Sequence, residues 1–150
     1  MDASRSDGAD CPAERHRRPA GVSDLTVAAL GKLSEALETT ERARGYLYAF
    51  HQLTGGADRT LGLAVEWLRQ AGHVQLADRI ETELLGRNVL PGRWTFQIVE
   101  EYDEGYYELF RRLERVARDE LVDGRSHLHE AEMKEVRRTH GLPGHEARPE

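Results

Sequence analysis

The chain has 150 residues and a mass of 17.0 kDa; 39% of its residues are apolar, 32% are charged, and its formal net charge is -6. That is enough material for one domain with a real core. The acidic balance, with arginines spread among the glutamates, argues against a protein whose main work is gripping a phosphate backbone.

Uninterrupted apolar runs such as Val27 to Leu30 fall far short of the roughly 20 residues a membrane span needs. The first 21 residues contain no apolar stretch resembling an export signal, and the one cysteine, Cys11, cannot close an internal disulfide. A cytoplasmic location is therefore expected. Residues 1–22 are rich in Asp, Ser, Arg, Gly and Pro, with little to bury, and are expected as a disordered leader.

Beyond the leader the apolar period is helical. Ser23 or Asp24 can cap a first helix carrying Leu25, Ala29, Leu33, Leu47 and Phe50, with Gly55–Gly56 as its stop. Asp58 can cap a second, with Leu61, Ala64, Val65 and Leu68, that breaks at Gly72. A third carries Val74, Ala77, Ile80 and Leu84 and ends at Gly86. Residues 86–94 read as a loop around Pro91–Gly92. Thr95 can cap a fourth helix, with Phe96, Val99, Tyr102, Tyr106, Phe110, Leu113 and Leu121 on one arc, which Asp123–Gly124 terminates. A weaker fifth runs from Ser126 to Thr139, and residues 140–150 read as a flexible tail. No stretch alternates with period two. The expected fold is all-α: one domain over 23–139, an up-down-up antiparallel bundle whose middle rod breaks near Gly72, with the short last helix folded across it or onto another chain.

Advancing about 100° per residue places several titratable groups on apolar arcs. His51 falls beside Leu33 and Leu47, Glu81 beside Ala77, Asp103 beside Phe110, and Glu120 beside Leu113. In an up-down-up bundle Glu81 and Asp103 share one level, His51 and Glu120 another, and His73 stands alone. Inward carboxylates and histidines are how bundles hold metals, so a divalent metal or small molecule is the alternative reading. Each level offers two ligands where zinc asks for three or four. Structural pairing is therefore preferred: His51 with Glu120, and Glu81 and Asp103 each with Lys32, an arginine or a tyrosine. On the last helix His127 and Glu130, and His129 and Glu132, are three apart and suit intrahelical pairs better than a metal.

Trp67, Phe96, Tyr102, Tyr106, Tyr107 and Phe110 fit a core better than a stacking pocket, while Tyr46, Tyr48 and Tyr107 are expected partly exposed, as on a partner surface. No nucleophile elbow, phosphate loop or dinucleotide motif is present. Glu81 and Glu83 would turn acid toward DNA if the helices around Gly72 were a helix-turn-helix. The residues thus favour a non-enzymatic helical protein, without cofactor, that associates with itself or a protein partner and not with nucleic acid or membrane. Docking by the 140–150 tail is a weaker third reading.

Overall fold

The computed structural model describes residues 10–148. The ends of the expected leader and tail, residues 1–9 and 149–150, lie outside the described residues. The fold is all-α, as the periodicity predicts. A short 3-10 turn, Glu14–His16, precedes α1 (Asp24–Gln70), α2 (Val74–Glu83), α3 (Thr95–Tyr102), a π turn (Asp103–Tyr107), α4 (Glu108–Val122) and α5 (Leu128–Arg137). The chain divides into two compact units, residues 1–38 with 110–150 and residues 39–109; the single domain expected over 23–139 takes in parts of both.

The boundary expected at Gly55–Gly56 is not found. Gly55–Gly56 does not end the first helix, which runs unbroken to Gln70, so residues 58–70 extend the first rod instead of opening a second. A mid-helix glycine costs about 1 kcal/mol but forbids nothing. Stopping a helix takes a left-handed residue and capping bonds, and neither Gly55 nor Gly56 is at positive φ. Gly72 is, at φ 89°, and there the Gly72 N–H reaches the Arg69 carbonyl and the His73 N–H that of Leu68, closing the helix in a Schellman motif. At the other end, Ser23 caps α1 through the Thr26 N–H, at 3.1 Å.

In the unit of residues 1–38 and 110–150, Val27 and Leu30 of α1 meet Val122 of α4 and Leu128 of α5, with Val22 and Ala117 against them. Gly31 admits α5: a Cβ built there would lie 3.2 Å from the side chain of His129. Glu114 is buried, accepting from Ser34 Oγ and from Arg118 Nε.

Residues 10–22 and 140–148 carry charged and backbone hydrogen bonds to the rest of their unit. Arg18 donates to both carboxylate oxygens of Glu132 at 2.9 Å and to Asp24 at 2.6 Å. The Ser126 N–H donates to the Arg15 carbonyl, and His16 Nδ1 lies 2.7 Å from the Ser126 carbonyl. Arg138, its side chain only 2% exposed, donates to both carboxylate oxygens and the carbonyl of Asp10, to Glu135 and to the His145 carbonyl. Charged hydrogen bonds to fixed partners are the stronger kind. The Arg138 guanidinium holds the carboxyls of Asp10 and Glu135 below their ordinary values.

In the unit of residues 39–109, α1 lies antiparallel to the α3 and π-turn segment: Glu41 meets Tyr107, Arg44 meets Asp103 and His51 meets Thr95. Val65, Ala77, Val99 and Tyr107 are buried. Asp58 accepts the Gly86 N–H at 2.9 Å and ties the turn after α2 back to α1.

Candidate functional site

Several of the polar groups expected inside the helices find a partner of their own. Asp103 is half-buried and receives a two-pronged grip from Arg44, Nε to Oδ1 at 2.6 Å and Nη2 to Oδ2 at 2.9 Å. The same guanidinium sits 5.0 Å from the Tyr48 ring centre and 5.1 Å from that of Tyr107. Its hydrogen bonds, ahead of its charge, hold the Asp103 carboxyl below the ordinary range, and Asp103 in turn raises Arg44. The π turn carries two of these partners, Asp103 and Tyr107; the Glu108 N–H reaches back five residues to the Asp103 carbonyl.

Glu81 is exposed and does not face Asp103. Arg69 bridges it and Asp78, at 2.7 and 2.6 Å. The acid–acid level expected from a three-rod bundle is therefore replaced by two separate arginine-neutralised carboxylates. Its cause is the unbroken α1: with residues 58–70 extending the first rod, the heights assigned to α2 no longer hold. Arginine, one of the partners expected for both acids, is the partner each of them finds.

The expected His51–Glu120 pair is also replaced. His51 Nδ1 lies 2.6 Å from Thr95 Oγ1, and Glu120 is exposed on α4. Thr95, taken by His51, does not cap its helix; Trp94 is the capping position, its N–H donating to Gln97 Oε1 at 2.8 Å. His73 is exposed at the start of α2, offering its carbonyl to the Ala77 N–H.

On α5, Glu132 is bound by Arg18 and not by His129, which packs against Gly31. His127 occupies a left-handed position at φ 57°, its ring centre 5.9 Å from that of His16. Glu130 is exposed in the first turn of α5. A cavity of about 20 Å³ beside Gly31, Arg118 and His127 has room for a single water. Among the described residues no three His, Cys, Asp or Glu side chains come together as a metal would require, and no helix is long and apolar enough to cross a membrane.

What the structure leaves open is apolar. Among the described residues eight hydrophobic side chains are buried, whereas twenty-two large ones are exposed. Trp67, Phe96 and Tyr106, expected in a core, are exposed; Tyr46 and Tyr48 are exposed as expected. Tyr107, expected partly exposed, is buried and donates to Glu41 at 2.5 Å. On α1 the exposed residues form a file: Ala43, Tyr46, Phe50, Leu53, Ala57, Thr60, Ala64 and Trp67, at alternating steps of three and four. Most of them immediately precede a residue of a second, covered file, Arg44, Leu47, His51, Thr54, Leu61, Val65 and Leu68, which packs inside the unit. Successive residues point about 100° apart, so one file faces its own unit and the other faces out.

Compared with known protein families, with curated proteins and with solved structures, the chain matches none of them.

Proposed function

We propose that this chain works through protein–protein association, with itself or with a partner, and that its exposed apolar side chains are covered in the working state. One observation carries the reading: the seam along α1, with Tyr46 79%, Leu53 72%, Trp67 66% and Phe50 42% exposed and no charged residue in the file. Isolated exposed apolar residues are ordinary, but contiguous apolar surface of more than a few hundred Å² marks an interaction site. Aromatic residues on such a surface are the side chains that dominate interface energetics.

The pairing of the polar groups supports the same reading. Asp103, Glu81, Glu114 and Glu132 each neutralise an arginine within the chain, so their chemistry maintains structure. The test is molar mass by light scattering, on the purified chain and on the chain recovered by affinity from extract. Mass above the 17.0 kDa of one chain in either sample supports association. A species at the single-chain mass that retains nothing, in both samples, contradicts it.

A further inference from the structure

We infer that the partner on the α1 seam is a second copy of this chain, docked antiparallel about a two-fold axis near Gly55. The inference rests on the association reading and deepens it.

The arrangement of sizes along the seam argues for self-pairing. Set Leu53 opposite Ala57 of the second copy and move outward along both helices in opposite directions. The steps of three and four stay matched, and the next layers pair Phe50 with Thr60, Tyr46 with Ala64 and Trp67 with Ala43. Every layer sets a large side chain against a small one, and the two-fold repeats each layer on the other side. Facing positions of alternating size are what let two helices interdigitate without voids or clashes.

Other alignments lose this. A parallel pair sets Tyr46 on Tyr46 and Ala64 on Ala64, crowded at one end and hollow at the other. One heptad out of register, Phe50 meets Trp67 in one direction and Leu53 in the other. On the shoulder of the seam Leu63 lies within two residues of the level of Ala49 of the second copy, and Gly56 lies beside the axis where the backbones come nearest. Arg42 and Glu66, both exposed on that shoulder, come close to each other across the pair with opposite charge.

Area is sufficient. Aromatic side chains bury about 150–250 Å² each, so the exposed fractions of Tyr46, Phe50, Leu53 and Trp67 amount to on the order of 500 Å² per copy, or about 1,000 Å² for the pair before the flanks are added. A specific interface needs about that much in total. The same patch serves both copies, as a two-fold interface requires.

The experiment measures dimer dissociation of the full chain by sedimentation for the native sequence, Phe50→Glu, Ala64→Tyr and the swap Tyr46→Ala/Ala64→Tyr. These side chains are exposed in the single chain, so the variants retain their fold; circular dichroism checks this. Phe50→Glu buries a carboxylate in two layers and weakens the dimer on the order of a hundredfold. Ala64→Tyr sets tyrosine on tyrosine and weakens it about tenfold. The swap rebuilds a large–small layer and returns affinity to within about threefold of native. A native dimer unmoved by Phe50→Glu overturns the seam and leaves the association reading standing. Failure of the swap to recover what Ala64→Tyr loses overturns the antiparallel register. A native chain that is monomeric alone overturns the second copy as partner, and the broader reading then stands or falls on capture of a different protein.

Discussion

Replacing Arg44 by alanine removes a guanidinium that joins α1 to the π turn in the unit of residues 39–109. Four interactions go at once: two hydrogen bonds to Asp103 and the stacking on Tyr48 and Tyr107. An exposed ion pair contributes about 0.2–1 kcal/mol, whereas breaking a buried one costs about 3–5 kcal/mol. With side chains 30% and 28% exposed, Arg44 and Asp103 lie between those limits. The fork geometry favours a contribution of about 2 kcal/mol. Each cation–ring contact adds about 0.5 kcal/mol at such a site. The expected loss is thus about 3 kcal/mol, a fall of about 1–2 M in the urea midpoint. Arg44→Lys keeps the charge without the fork and loses about half as much. Both tryptophans, Trp67 and Trp94, belong to this unit, so their fluorescence follows its unfolding. Every variant is measured at one protein concentration, because association shifts apparent stability.

The acid limb gives an independent check on the same pair. The folded Asp103 carboxyl is lowered by Arg44 from 3.8, so its contribution is present above about pH 4 and is lost as pH falls through the lowered value. The gap between native protein and Arg44→Ala should therefore narrow below about pH 4. A loss under about 0.5 kcal/mol at neutral pH, or a gap that persists unchanged into acid, refutes the assigned role.

Gly55→Ala should stabilise the chain by about 0.5–1 kcal/mol in thermal unfolding, since the helix is continuous there and an added Cβ meets only the tip of Arg59 at 3.9 Å; destabilisation would indicate a break at that position. Val122→Ala, at 1% exposure in the core with Val27, Leu30 and Leu128, should cost about 2–3 kcal/mol in urea unfolding. Glu120→Ala should change stability by less than about 0.5 kcal/mol, because the carboxylate is exposed; a larger loss would restore the inward placement its helical arc suggests.

Helix type was legible because long apolar periods dominate this sequence, and so were the stop at Gly72, the Ser23 cap and the terminators Asp123–Gly124. The false stop at Gly55–Gly56 came from weighing glycine as a breaker by identity alone. Leu47, Thr54, Leu61, Val65 and Leu68 keep one phase across it, and that continuity was the signal to follow. The misplaced levels of Glu81 and Asp103 descend from that single boundary. Glu120 reads as inward because an apolar arc does not distinguish a face covered by its own chain from one left open, whereas His51 does lie on a covered face and meets Thr95 there. The contacts of residues 10–22 are not legible in the sequence for a different reason. Arg18–Glu132 and Arg138–Asp10 join residues more than a hundred positions apart, and composition carries no record of such partners. Of the exposed file on α1, Phe50, Ala64 and Trp67 carry an apolar period that predicts a core, whereas Tyr46 reads as exposed from the sequence and is exposed.

Sedimentation equilibrium of the native chain, followed over a hundredfold range of concentration, bears most directly on whether that file is covered. A self-associating α1 seam gives a mass rising with concentration to twice the 17.0 kDa of one chain. A mass that stays at the single-chain value throughout contradicts a dimer built from two copies of this helix.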